Sequence, residues 1–167
     1  MKLKLNAVIM ALVFLLMSTM SAVSWSSVAP WIVYKSNGRI DPVEAVALEQ
    51  IVNKYADKYG IPSSIIHRVI SSESSYNERA RNGPSLGMMQ VNPKDHPSTM
   101  RGKNPYDPEV SINAGAQYLS ECFSQFRTWP RALTCYNRGA GGVGTSRTST
   151  YAKKVLSVPL IPPKRRK

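Results

Sequence analysis

Cysteine, histidine and acidic residues are scarce in this chain, and each scarcity narrows the function. Two cysteines and two histidines are present. Cys122 and Cys135 lie thirteen apart, with no CxxC pair and only His67 and His96 as further ligands, so a zinc site is poorly supported. No Cys precedes Cys122, which excludes lipid attachment to an N-terminal cysteine. Long apolar runs are missing too. The run at residues 7–17 counts eleven residues, whereas a membrane-spanning helix needs about 20. Acidic residues number 10 against 22 basic ones, a net charge of +12. So positive a chain is attracted to polyanions: nucleic acid, anionic lipid or an acidic wall polymer. Charge alone selects none of these and points to no specific nucleic acid.

Both ends read as separate from the domain. Lys2 and Lys4 precede the apolar run, and small polar residues follow it, the charged, apolar, small-residue order of a secretory signal over residues 1–24. Ala22-Val23-Ser24 suits cleavage before Trp25; an uncleaved membrane anchor running through Trp25 is the competing reading. Either way the chain is expected to be exported, periplasmic or secreted. Losing residues 1–24 removes two lysines and no acid, leaving a charge of +10. In an oxidising compartment a Cys122–Cys135 disulfide is the simpler assignment, the alternative being two buried free thiols. Residues 25–40 lack periodicity and read as a leader. Residues 159–167 end in Lys164-Arg165-Arg166-Lys167 behind three prolines and read as a basic, solvated tail.

The domain is expected at residues 41–158, and at 167 residues there is room for one such core. Asp41-Pro42 opens a helix with an acidic cap and Pro at the first helical position, and Gly60 ends it. Pro62 and Ser63 start the next helix, which carries Ile65, Ile66, Val69 and Ile70 up to Glu73. Residues 77–84 read as a loop and 86–91 as a short Met-rich apolar run. Further helices are expected at about 108–126, from Trp129 to Tyr136, and at 148–156. No internal repeat is present, and nothing points to an oligomer. The fold class is mainly α, with room for one small β-hairpin between Pro84 and Pro108.

Glu73 ends an apolar stripe made by Ile66, Val69 and Ile70, seven, four and three residues before it. Those positions share one helical face, and a carboxyl group half-buried there without a cation holds its proton more readily. Cleavage of a glycosidic bond needs such an acid. On periodicity alone, a Glu in the last turn that points to solvent remains equally open.

Three segments settle the choice of family. Glu73-Ser74-Ser75-Tyr76-Asn77, Gly87-Met88-Met89-Gln90-Val91-Asn92 and Cys135-Tyr136-Asn137-Arg138-Gly139 occur in that order. Between the last two stands Asn104-Pro105-Tyr106-Asp107-Pro108 through Asn113-Ala114-Gly115-Ala116-Gln117-Tyr118-Leu119. Together they resemble the soluble lytic transglycosylase family, with its goose-type-lysozyme-like α+β fold, over residues 45–155. The resemblance implies cleavage of the β-1,4 bond between N-acetylmuramic acid and N-acetylglucosamine in peptidoglycan. One Glu would act as acid and then as base, and a 1,6-anhydro ring would form without water. A hydrolytic muramidase is the nearest alternative, and a non-enzymatic cationic wall-binding protein a more distant one.

Carried over residue by residue, Glu73 is the acid/base, and Ser74 follows it to brace the loop. Gly87 lets the backbone approach the sugar, Gln90 is the signature Gln, and Met89 lines the groove or core beside it. Tyr136 and Asn137 orient the carboxyl group or bind an N-acetyl group. No cofactor or metal is implied. Two departures stand out: Met88 where the family has Leu, and Arg138 where a small residue is usual. Between Glu73 and Asp107 the other acids are Glu78 and Asp95 alone, which suits a mechanism with a single carboxylate. A small exported domain of this kind fits secretion-system, pilus or phage assembly as well as wall turnover.

Overall fold

In the computed structural model, which describes residues 27–144 and 148–163, seven α-helices surround one core. Helix α1 is Ala29–Lys35, α2 Pro42–Tyr59 and α3 Ser63–Glu73; after a two-stranded hairpin come α4 Pro97–Met100, α5 Pro108–Phe126, α6 Trp129–Arg138 and α7 Thr150–Leu156. The signal segment 1–24 and the Lys164-Arg165-Arg166-Lys167 end of the tail lie outside the described residues. Among those described, no helix is long and apolar enough to cross a membrane.

The long helices start where their caps put them. Asp41 accepts from the backbone N–H groups of Val43 (2.7 Å) and Glu44 (2.9 Å), while Glu44 reaches back to Asp41 N (3.2 Å), a full capping box ahead of Pro42. Asp107 does the same for α5 at Glu109 N (2.8 Å) and Val110 N (3.3 Å), again with Pro at the first position. Helix α2 ends on Gly60 at φ +63°, a left-handed cap that glycine adopts at no steric cost. Tyr59 and Tyr55 of α2 then donate to Asn113 (2.6 Å) and Glu109 (3.0 Å) of α5. Beneath those ties lie Val52, Ile66, Val69, Ile70, Ile112 and Leu119, all at 0% exposure.

The sheet is small. Arg81–Asn82 pairs antiparallel with Ser85–Leu86 around Gly83-Pro84, in the register Arg81↔Leu86. Leu86 makes one further antiparallel bridge to Val91, which folds the Gly87-to-Gln90 segment into a tight turn. The expected fold class, mainly helical with one small hairpin, is the one found. The hairpin, however, turns at Gly83-Pro84 with its first strand in the segment read as a loop, rather than lying between Pro84 and Pro108.

Residues 25–40 refine the sequence reading. Their lack of periodicity reads as a leader into the domain, and within it Ala29–Lys35 is helical and buries Trp31 (5% exposed) and Ile32 (0%) in the main core. Glu49 of α2 accepts from Val28 N (2.8 Å) and Ser27 Oγ (2.6 Å), fixing the start of α1 on α2. A helix of seven residues is too short to show a helical period, and its stability comes from packing rather than propensity. At the other end, Cys122 and Cys135 form a disulfide between α5 and α6, contributing about 3 kcal/mol in the chain-entropy picture.

Candidate active site

Glu73 occupies the last turn of α3, half-buried. Its stripe runs into the core through Ile66, Val69 and Ile70, and its carboxylate emerges where the helix stops. The chain then reverses through two residues in the left-handed region, Ser75 (φ +52°) and Tyr76 (φ +61°). Gln90 adopts the same conformation (φ +51°). Non-glycine residues take up this region at a cost of about 1–3 kcal/mol each, and such strain gathers at functional sites. Among the described residues, three of the six of this kind lie in two of the motif segments. The Ser74 hydroxyl donates to Ile70 O (3.2 Å) and closes the helix end, while Arg39 donates to Ser75 O (2.9 Å) and holds the reversal.

Tyr151 of α7 donates a 2.5 Å hydrogen bond to Glu73 Oε1. Helix α7 is held against α3 by two further polar ties beyond that contact: Lys154 donates to Ser72 O (3.2 Å), and Arg68 donates to Leu156 O. Its N-terminus is capped by Ser149, which accepts from Ala152 N (3.1 Å) and stands 2.9 Å from Thr134 Oγ1 of α6. Burial raises the Glu73 carboxyl above its ordinary value; the Tyr151 hydrogen bond and the Lys154 charge pull it partly back. No second carboxylate is among the groups acting on it.

The Gly87–Gln90 turn is locked from three directions. Gln90 Nε2 donates to Gly87 O (2.8 Å) and Ala80 O (2.9 Å). Ser111 Oγ accepts from Met89 N (3.1 Å), and Tyr136 Oη donates to Met89 O (2.7 Å). A groove of about 520 Å³ opens beside it, lined by Gln90, Asn92, Tyr118, Tyr136, Asn137 and Arg138 among others. Its aromatic wall is continuous: the His96 and Tyr118 rings are 4.5 Å apart and those of Tyr118 and Tyr136 are 5.4 Å apart. Such faces suit the apolar faces of sugar rings. Burial first, and the Glu73 charge after it, raise the Tyr136 phenol well above its ordinary value, while Glu73 itself is not among the residues that line this groove. A second hollow of about 550 Å³, lined by Arg39, Leu48, Ile51, Tyr76, Arg79 and Met88 among others, includes none of Glu73, Gln90 or Tyr136.

Of the residues singled out from the sequence, Gln90, Tyr136 and Asn137 line the groove, and Glu73 does not. Gly87 differs from the expectation, and Met89 and Tyr136 each take one of the alternatives left open. Met89 is 0% exposed, and a Cβ added at Gly115 of α5 would meet its Sδ at 2.5 Å; its side chain is core, and only its backbone takes part in the turn. Gly87, at φ +75°, approaches protein rather than open groove: a Cβ there would lie 2.3 Å from Pro105 O and 2.8 Å from Ser111 Oγ. Tyr136 gives its hydroxyl to Met89, so orienting Glu73 falls to Tyr151. The sequence reading missed Tyr151 and Ser111. A lone Tyr in a short helix carries no signal of what that helix packs on, and Ser111 is one small polar residue in a long apolar face. Among the described residues no cluster of His, Cys, Asp or Glu could hold a metal ion.

Comparison with known proteins bears on the family and the fold. The family described as "Transglycosylase SLT domain" matches residues 50–157. Membrane-bound lytic murein transglycosylase C of Haemophilus influenzae is 34% identical over 112 residues, and that of Pectobacterium atrosepticum 35% over 114. The match takes in 56% of this chain and 31% of either relative, so the chain spans about a third of their length. An X-ray structure of an inactive Glu-to-Gln variant of lytic transglycosylase Slt from Pseudomonas aeruginosa superposes with a TM-score of 0.59. It is 22% identical, over 77% of this chain and 28% of that one. That likeness shows the fold, the mainly helical lysozyme-like architecture expected from the sequence. With the family match covering most of the described core, the chain belongs to the transglycosylase SLT domain family.

Proposed function

We propose that this protein is a peptidoglycan lytic transglycosylase that cleaves the β-1,4 bond between N-acetylmuramic acid and N-acetylglucosamine. The observation that carries the reading is Glu73: a half-buried carboxyl group held by one phenol, raised by burial, with no partner carboxylate acting on it. Retaining glycosidases place two carboxyl groups about 5 Å apart, and inverting ones about 6.5–9.5 Å apart. Glu78 and Asp95, the acids between Glu73 and Asp107, are exposed and engaged elsewhere, with Arg79 and Asn92 respectively. A lone carboxyl group supports a mechanism in which the substrate supplies its own nucleophile. Glu73 gives its proton to the leaving glycosidic oxygen, and the bond to the muramyl C1 breaks. The resulting carboxylate then takes the proton of the muramyl 6-hydroxyl as O6 closes on C1. The product is a 1,6-anhydro end, and Glu73 recovers its proton without water being consumed.

The names of the matched relatives, murein transglycosylases, support the substrate. Gln90, Tyr118, Tyr136 and Asn137 supply the groove in which a glycan strand would lie, and Ser74 and the Gly87 turn hold the frame around the acid. Export through the N-terminal segment would bring the enzyme to its polymer. Mass spectrometry of muropeptides released from purified walls tests the reading. Anhydro ends, lighter by one water, are expected from the wild type, and Glu73→Gln should release at least about a hundredfold less. Reducing ends throughout would instead make the protein a hydrolytic muramidase.

A further inference from the structure

Arg138 departs from the small residue expected between Asn137 and Gly139, and the structure gives it a place in the groove. It is the last residue of α6, exposed, two positions after Tyr136. Among the described residues no carboxylate pairs with it: the salt bridges there are Lys54–Glu109 and Arg79–Glu78. It is the one cation among the groove-lining residues. The one carboxylate there, Asp95, is already held by Asn92 Nδ2 at 2.7 Å, and burial depresses the basicity of His96. The neighbouring backbone makes room for the arginine. A Cβ at Gly142 would stand 2.6 Å from Arg138 Cβ and within 3.7 Å of Cγ and Cδ, so the stem lies along a glycine turn that any larger residue would push away.

We propose that Arg138 is a binding subsite for a carboxylate on the substrate strand, carried by the peptide attached to the muramyl lactyl group. The inference rests on the lytic reading of the groove for the identity of the strand. While the muramyl lactyl group is tied up in its amide bond the glycan offers a guanidinium no charge to pair with, whereas the attached peptides carry free carboxylates. A planar guanidinium matches a carboxylate through two parallel hydrogen bonds. A cation at a helix C-terminus also complements the helix dipole, but that role is indifferent to the substrate and would appear in stability alone.

The test compares intact peptidoglycan with the same peptidoglycan whose peptide carboxylates have been capped as methylamides by carbodiimide coupling, using the wild-type protein and its Arg138→Ala and Arg138→Lys variants. Binding is read by co-sedimentation and turnover by muropeptide release, with thermal melting alongside. The preference for intact over carboxylate-capped strands, as a ratio of Kd values, is expected to fall about fivefold in Arg138→Ala and to be partly kept in Arg138→Lys. Fivefold corresponds to about 1 kcal/mol, the upper end for an exposed ion pair. An unchanged ratio, or a loss confined to melting temperature, overturns the proposal. Muropeptide release judges the lytic reading separately. A protein that releases nothing yet shows the Arg138-dependent ratio would overturn that reading and support this one.

Discussion

Tyr151 Oη donates to Glu73 Oε1 at 2.5 Å, across the contact between the last helix and the helix that ends on the acid. A phenol so placed favours the ionised carboxylate, opposing the burial that raises its pKa. The two effects set how readily Glu73 gives up and recovers a proton. Tyr151→Phe leaves the apolar body in place and removes the donor. The Glu73 pKa should rise further, so the alkaline limb of the pH–rate profile moves to higher pH. Loss of orientation should cost about tenfold or more in kcat. A pH profile measured on soluble glycan strands checks both. A variant with the same profile and a tenfold lower rate would leave Tyr151 a purely steric support.

Glu73→Gln should be more stable than the wild type at neutral pH. A carboxyl group whose folded pKa lies above its unfolded value stabilises the fold below the unfolded value, and that contribution is lost as pH rises through the folded value. The amide carries no such penalty and still offers Tyr151 an acceptor. Melting temperatures of the two proteins should therefore coincide near pH 4 and diverge in favour of the variant towards pH 7. Coincidence at every pH would mean that Glu73 is not raised at all.

Glu73 was legible because two independent signals met there, the helical stripe behind it and the motif around it. The capped starts of α2 and α5 were legible because capping is local chemistry, written in Asp41-Pro42 and Asp107-Pro108. What failed to show was tertiary. Met89 sits one residue from Gln90, yet the left-handed turn sends one side chain into the core and the other to the groove; outside a helix or strand no period tells such neighbours apart. Tyr151 became part of the site only through the docking of α7 on α3, which Arg68 and Lys154 secure from residues distant in sequence. Helix α1 was hidden by its shortness, since Trp31 and Ile32 are buried side by side.

Gly115 places an opposed pair of effects in the middle of α5. Replacing it with Ala gains about 1 kcal/mol of helix propensity. The new Cβ, however, would lie 2.7 Å from Met89 Cβ as well as 2.5 Å from its Sδ. The thioether can swing aside, but the Cβ moves only with the Met89 backbone, which Ser111 and Tyr136 hold. Overpacking of this kind costs about 1–3 kcal/mol, so Gly115→Ala should be destabilised by up to about 2 kcal/mol in urea unfolding. Its activity should fall as well, because the strain is released into the turn that carries Gln90. A more stable, fully active variant would show that the turn can yield.

His67 should set the acid limit of stability. It is 0% exposed in α3, with Nδ1 3.0 Å from Tyr76 Oη and Nε2 without a partner among the described residues. Burial lowers its pKa from 6.5 to about 4, the Glu49 carboxylate opposing only weakly. A histidine depressed in the fold binds its proton more tightly when unfolded, so its contribution is full above the unfolded pKa and is lost as pH falls from 6.5 towards 4. At pH 5 the loss should be about 2 kcal/mol, or about 5 °C in melting temperature for a domain of this size. His67→Gln keeps a polar group beside Tyr76 but takes up no proton over that range. Comparing the two proteins from pH 7 to 5 isolates the histidine from Glu73, which both retain. The wild type should lose stability relative to the variant as pH falls, and parallel curves would place the acid sensitivity elsewhere.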